Sequence, residues 1–151
     1  MKRSILSLSA FFLVAFGFTQ NRHMPPGSVS ESFQKEYPKS QPSQWQHSNQ
    51  GWSATFDDRD HNNGEAIANF DASGRHIDTH IPYDQQDVPQ PVRDHMQRSY
   101  GGSDPYEVTR IDRPRGNGLY MARYKHKNKN KTIYFDQDGR ERNDYKDNHH
   151  Y

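Results

Sequence analysis

An α+β domain of two tandem units, each a helix followed by antiparallel strands, is what this sequence predicts, and three observations carry the prediction. The hexapeptide Phe70-Asp71-Ala72-Ser73-Gly74-Arg75 recurs as Phe135-Asp136-Gln137-Asp138-Gly139-Arg140. Ahead of each copy the apolar residues match at constant spacing: Val29 with Val92, Phe33 with Met96, Tyr37 with Tyr100 and Trp45 with Val108 are each 63 positions apart. Finally, Trp52, Ala54 and Phe56 alternate with polar neighbours, as Tyr120, Ala122 and Tyr124 alternate with Met121, Arg123 and Lys125. That is the period of a strand buried on one side only.

Taken in order, residues 1–20 read as a signal peptide: Lys2 and Arg3 precede an apolar run from Ile5 to Phe18, and small residues at Ala15, Gly17 and Thr19 suit cleavage near Thr19 or Gln20. The run is short of the roughly 20 apolar residues a membrane span needs. Nothing later is apolar enough to anchor the chain, so no transmembrane segment is expected after cleavage. Residues 21–27, with Pro25-Pro26-Gly27, form a flexible lead-in. The first unit, 28–87, opens on Ser28-Val29-Ser30-Glu31, which has the spacing of a capping box. Val29, Phe33 and Tyr37 share one helical face, and Pro38 disfavours helix before it. A first strand follows around Trp45, a second through Trp52 to Phe56, a hairpin loop from Asp58 to Gly64, a third strand to Phe70 and a fourth from His76 to Ile81.

The second unit, 88–145, repeats this plan. Val88-Pro89 opens its helix, Pro89 and Pro91 leave room for that helix to be shortened, and Gly101-Gly102 stops it. Strands follow around Val108, through Tyr120 to Tyr124 and into Phe135, with His126 to Lys131 as the hairpin loop and a short last strand from Glu141 to Asp144. A polar tail, 146–151, ends the chain. In both copies of the hexapeptide the chemistry is that of a tight turn: Asp71 and Asp136 accept backbone N–H bonds, and Gly74 and Gly139 tolerate positive φ.

After cleavage about 130 residues remain, the usual size of one domain. Only 30% of residues are apolar while 13% are aromatic, so the core must be thin and aromatic. A single sheet with helices on one face fits, because only one side of each strand need be apolar. The 20 basic and 19 acidic residues nearly cancel, and loss of Lys2 and Arg3 takes the balance from +1 to −1. Such a charge argues against nucleic acid as a partner. The absence of cysteine excludes disulfides, thiolate metal sites and a cysteine nucleophile.

The chain resembles the PepSY-like, β-lactamase-inhibitor-like family of exported bacterial proteins. The carriers are Phe33-x-x-x-Tyr37-Pro38 before Trp45, Trp52-x-Ala54-x-Phe56, Phe70-Asp71-x-x-Gly74, Val88-Pro89, Tyr120-x-Ala122-x-Tyr124 and Phe135-Asp136-x-x-Gly139. Val108 stands where the first copy has a tryptophan. The resemblance implies one continuous antiparallel sheet with helices on one face, the other face open and concave, and a non-enzymatic binding role in the periplasm or outside the cell. It does not imply inhibition of a β-lactamase, because no inhibitory residue can be matched here.

Sharper chemical readings give way to plainer ones. If Asp136 opened a calcium loop, the sixth position would be Glu141, and if Asp58 did, it would be Asn63, where that loop needs glycine. Both read as turns. His76 and His80 are expected on one strand face, at a spacing long for joint ligation without a third group, and His149 and His150 lie in the tail, so no metal site or cofactor is assigned. No Gly-x-Ser-x-Gly elbow is present and no catalytic residue is assigned. The lysine-rich stretch 125–131 could make weak contact with an anionic surface. The partner-binding candidates lie on the sheet face away from the helices: Ser53, Thr55, Asn69, Met121, Arg123 and Tyr134, if Phe56, Phe70, Tyr124 and Phe135 point inward. The expected partner is an envelope or secreted protein. The alternative is sequestration of metal or a small ligand through the histidines and acidic loops.

Overall fold

The structure, a computed structural model, describes residues 24–58, 64–101, 106–143 and 145. The expected signal peptide, most of the Asp58 to Gly64 loop and the tail lie outside these residues. The elements run α1 (Gly27–Glu36), β1 (Pro42–Ser48), β2 (Gly51–Asp57), β3 (Glu65–Phe70), β4 (His76–Tyr83), α2 (Gln90–Tyr100), β5 (Glu107–Asp112), β6 (Leu119–His126) and β7 (Lys129–Phe135). The strands form one antiparallel sheet in chain order from β1 to β7.

Both helices lie on the same face, for the reason alternation supplies. Val29 and Phe33 of α1 are buried with Ala54, Phe56, Ala66, Ala68, Phe70 and Ile81, and Val92 and Met96 of α2 with Val108, Tyr120, Ala122 and Phe135. Cross-strand register puts Ala54 opposite Ala68, Val108 opposite Ala122 and Tyr120 opposite Phe135, so these side chains share one side of the sheet. Tyr83 touches both clusters and joins them. Small alanines on the strands let the helices approach, and aromatic rings fill what is left. The Phe33 ring lies 5.2 to 6.4 Å from those of Tyr37, Trp45, Phe56 and Phe70.

The two hexapeptide turns are built alike. Asp71 N–H donates to the Arg75 carbonyl and Gly74 N–H to the Asp71 carbonyl, each at 3.0 Å, and Asp136, Arg140 and Gly139 repeat the same two bonds at the same length. Asp71 Oδ1 also accepts from the Ser73 hydroxyl at 2.6 Å, the Ser73 N–H at 2.9 Å and the Arg75 N–H at 3.0 Å. The Ser73 hydroxyl is the main reason its carboxyl is pulled down to about 2, with the backbone donors and Arg75 adding. Gly74 (φ +90°) and Gly139 (φ +76°) have left-handed backbones, and each lies under the first turn of a helix. A β-carbon on Gly74 would stand 2.6 Å from the Ser28 carbonyl oxygen, and one on Gly139 2.6 Å from that of Pro91. The turn glycines therefore seat the helices on the sheet.

Polar ties fix the other helix ends. The Tyr37 hydroxyl bonds Thr79 Oγ1 on β4, and the Tyr100 hydroxyl donates to Glu141 Oε1 at 2.6 Å. Burial pushes the Tyr37 hydroxyl up to about 12 against the pull of the Thr79 bond, whereas the Glu141 bond, helped by burial, does so for Tyr100. His95 of α2 meets Glu141 at 3.0 Å and the Gly139 carbonyl at 2.9 Å.

Four local expectations need correction. The capping box at Ser28 does not form: α1 starts at Gly27 behind Pro26, no side chain caps it, and Ser30 Oγ bonds back to the Gly27 carbonyl at 3.0 Å. The preset φ of Pro26 (−53°) lets its carbonyl accept the Val29 and Ser30 N–H groups directly, one residue early. The second helix is not shortened, since Pro89 precedes it and Pro91 falls in its first turn, where a missing N–H costs nothing. The stretch from His126 to Lys131 is strand apart from Lys127 and Asn128, whose positive φ values (49° and 60°) make a two-residue hairpin turn. In place of a strand from Glu141, one isolated bridge joins Glu141 to Phe135, and Arg142 N–H donates to the Tyr134 carbonyl at 2.8 Å. A turn at Arg142 then sends the chain toward Tyr145 instead of along the sheet edge; Asp144 lies outside the described residues.

Candidate functional site on the free face of the sheet

Register places all six candidate residues on the face away from the helices, in two groups. Ser53 lies opposite Asn69 and Thr55 opposite Ile67 on β2 and β3, while Met121 lies opposite Tyr134 and Arg123 opposite Thr132 on β6 and β7. Between the groups run β4 and β5, which bring Asp78, His80 and Ile111 to the same face: Asp78 is opposite Asn69, and His80 is opposite both Ile67 and Ile111.

The middle of this face is buried. Relative exposure is 1% for Asn69, 3% for Asp78, 4% for His80, 0% for Ile111 and 2% for both Leu119 and Met121. On the β2–β4 side the burial is polar and internally bonded. Ser53 Oγ donates to Asn69 Oδ1 and Asn69 Nδ2 to Asp78 Oδ1, both at 2.7 Å, and His80 Nε2 is 3.4 Å from that Asp78 oxygen. On the β5–β7 side the burial is apolar: Ile111, Leu119 and Met121 pack together beneath Tyr134 and Tyr145, whose rings meet edge to face at 4.7 Å. Arg113 completes this cover, its guanidinium 5.1 Å from the centre of the Tyr145 ring.

The face thus has a floor and a border. Ser53, Thr55 and Tyr134 are half-buried and Arg123 is exposed, so these four can meet a partner. Asn69 and Met121 cannot be met directly, which corrects the expectation that all six offer themselves to solvent. The physical reason is that alternation reports which side a residue takes but not what lies over that side. Met121→Ala should accordingly lower stability by about 2–4 kcal/mol, as loss of a buried methionine does, and a chemical-denaturation midpoint reads this. A midpoint unchanged from the parent would show that Met121 is not part of a packed floor.

His76 and His80 do not share a face. A register shift between Asn69 and Phe70 sets His76 opposite Phe70, on the helix side, while Asp78 stays opposite Asn69. The extra residue of the bulge reverses the expected parity. His76 instead lies 2.8 Å from Thr79 Oγ1 and packs beside Phe70 and Tyr37. Asp78, His80, Ile111, Leu119 and Tyr145 were not anticipated at the site. The spacing of Ile111 and the pairing of Leu119 with it carried a usable signal, but the bulge concealed the two polar residues.

No family model matches the chain, and no curated protein is significantly similar to it. Solved structures do match. A DUF2874 family protein from Bacteroides ovatus superposes with a TM-score of 0.69 at 18% identity, over 78% of this chain and 84% of that one. A protein from Bacteroides eggerthii presumed to be periplasmic gives 0.70 at 17%, over 78% and 86%. A BLIP-like protein from Bacteroides fragilis gives 0.68 at 18%, over 85% and 93%. At such identities the likeness concerns architecture: this chain has the α+β fold, with one antiparallel sheet, of the BLIP-like protein and the DUF2874 family protein.

Proposed function

We propose that this chain is a non-enzymatic binding protein of the bacterial envelope, periplasmic or secreted, that engages another envelope or secreted protein through the free face of its sheet. The observation that carries the reading is the form of that face: a rigid, internally bonded floor bordered by Ser53, Thr55, Arg123 and Tyr134, with both helices on the other side. Tyrosine and arginine are enriched where proteins meet. A floor that is already packed loses little entropy when a partner arrives. Structural likeness to a BLIP-like protein supports an inhibitor-like mode of binding, and likeness to the Bacteroides eggerthii protein supports the location. The apolar leader at Ile5 to Phe18 points the same way.

Among the described residues no three His, Asp or Glu side chains gather as a metal site; Asp60, His61, His149 and His150, on which metal sequestration would draw, lie outside them. The binding reading is tested by placing a photoreactive amino acid at Thr55 or Arg123 and irradiating whole cells of the producing bacterium. A discrete cross-linked protein is expected from both positions, and Tyr134→Ala should weaken its capture. Cross-linking only from exposed Gln97 on α2, or from neither sheet position, would sink the proposal.

A further inference from the structure

Asn49-Gln50 joins β1 to β2, whereas Arg113-Pro114-Arg115-Gly116-Asn117-Gly118 joins β5 to β6. Two residues suffice to reverse an antiparallel pair, and the longer connection has length to spare for lining a cleft. Its base is firmly held. A β-carbon on Gly118 would stand 2.7 Å from Asp112 Oδ1, an oxygen itself paired with Arg110 Nε at 2.7 Å, and Arg110 also donates to the Tyr83 hydroxyl at 3.2 Å. From this base the loop faces the turn that begins at Asp136. Between them lies a surface cleft of about 290 Å³ with Arg113, Arg115, Asn117, Gln137 and Arg142 on its walls.

The charge of the cleft is net positive. Asp138 is paired with Arg140 at 3.0 Å, which leaves Asp136, its Oδ1 accepting the Asp138 and Arg140 N–H groups at 3.0 Å, as the one carboxylate set against the guanidinium groups of the wall. Arg113 and Arg115 form no ion pair among the described residues. Arg113 is set against the Tyr145 ring, which orients a guanidinium without neutralising it. Arg115 has no hydrogen bond or ion pair among the described residues. Arg142 is located by its main chain, through the bond from its N–H to the Tyr134 carbonyl.

We propose that this cleft binds a small, multiply charged oxyanion, a polycarboxylate or a phosphate ester. Guanidinium groups present planar forks that match carboxylate and phosphoryl oxygens two at a time, and Asn117 and Gln137 add neutral donors. The volume sits at the lower end of small-molecule sites, so the ligand is compact. Arg113 and Leu119 belong to both the cleft and the apolar side of the sheet face, but the border residues Ser53, Thr55, Arg123 and Tyr134 do not line the cleft, so either proposal can fail without the other.

Calorimetric titration of the mature chain with citrate, and separately with inorganic pyrophosphate, at an ionic strength of about 0.15 M tests it. Saturable one-site binding of at least one probe is expected; citrate alone assigns a carboxylate ligand and pyrophosphate alone a phosphoryl ligand. Arg113→Gln and Arg115→Gln should each weaken binding at least about tenfold, roughly 1.4 kcal/mol, with the melting temperature unchanged for Arg115→Gln and lowered only slightly for Arg113→Gln, which loses its contact with Tyr145. Arg98→Gln, on the exposed side of α2, should leave binding as it was. Failure of both probes to bind at millimolar concentration, or equal losses from all three substitutions, would overturn the proposal.

Discussion

Replacing Gly74 or Gly139 with alanine should cost about 2–5 kcal/mol, a large part of the roughly 5–15 kcal/mol that holds a small domain folded. Two separate penalties add at these positions. A left-handed backbone costs a residue with a β-carbon about 1–2 kcal/mol. Forcing that carbon against the Ser28 or Pro91 carbonyl oxygen, 2.6 Å away in each case, adds about 1–3 kcal/mol as the helix lifts from the sheet. The chain contains its own controls. Gly101 has a left-handed backbone (φ +70°) with nothing within 4 Å of a would-be β-carbon, and Gly116 has the open space without the positive φ. Urea unfolding should therefore rank Gly116→Ala mildest, Gly101→Ala at about 1 kcal/mol, and Gly74→Ala and Gly139→Ala well beyond both. If Gly74→Ala proved no worse than Gly101→Ala, the turns would not be seating the helices.

Phe33→Ala is expected to cost about 3–5 kcal/mol. The side chain is 1% exposed and carries α1 onto the sheet, touching the rings of Tyr37, Trp45, Phe56 and Phe70. Its removal takes the hub from a core that has few aliphatic side chains to close the gap. Met96 is the corresponding residue of α2, a flexible thioether in a cluster that also holds the rings of Tyr100, Tyr120, Tyr124 and Phe135. Met96→Leu, which conserves volume, should cost under about 1.5 kcal/mol. Unfolding followed by circular dichroism separates the two cases, and a loss below about 1.5 kcal/mol for Phe33→Ala would show that the aromatic cluster is not what holds α1.

Much of the fold was legible because alternation and spacing are local signals. Ala54, Phe56, Tyr120 and Ala122 announce their side of the sheet two residues at a time, and Val29, Phe33, Val92 and Met96 announce the helix faces that cover it. Where a single residue breaks the period, the reading breaks too: the bulge in β4 turned His76 toward the helices while leaving His80 on the free face. The candidate site was legible by side but not by depth. Asn69 and Met121 took the anticipated face, yet one is buried and hydrogen-bonded to Ser53 and Asp78, and the other lies beneath Tyr134 and Tyr145. Such cover comes from residues distant along the chain, which no periodicity reports. The arginine cleft was equally hidden, because Arg113 to Gly118 has the composition of an ordinary turn until its folded partner at Asp136 is known.

The order of the strands has a kinetic consequence. Because the sheet is laid out in the order in which the chain is written, every strand after β1 finds its template already in place when the polypeptide arrives N-terminus first. Neighbour-only pairing keeps contacting residues close in sequence, the property that goes with rapid folding. Only the step from β4 to β5 requires a wait, while α2 is threaded across the face. A chain of this design can build itself as it emerges, without holding an unpaired strand open for a distant C-terminus.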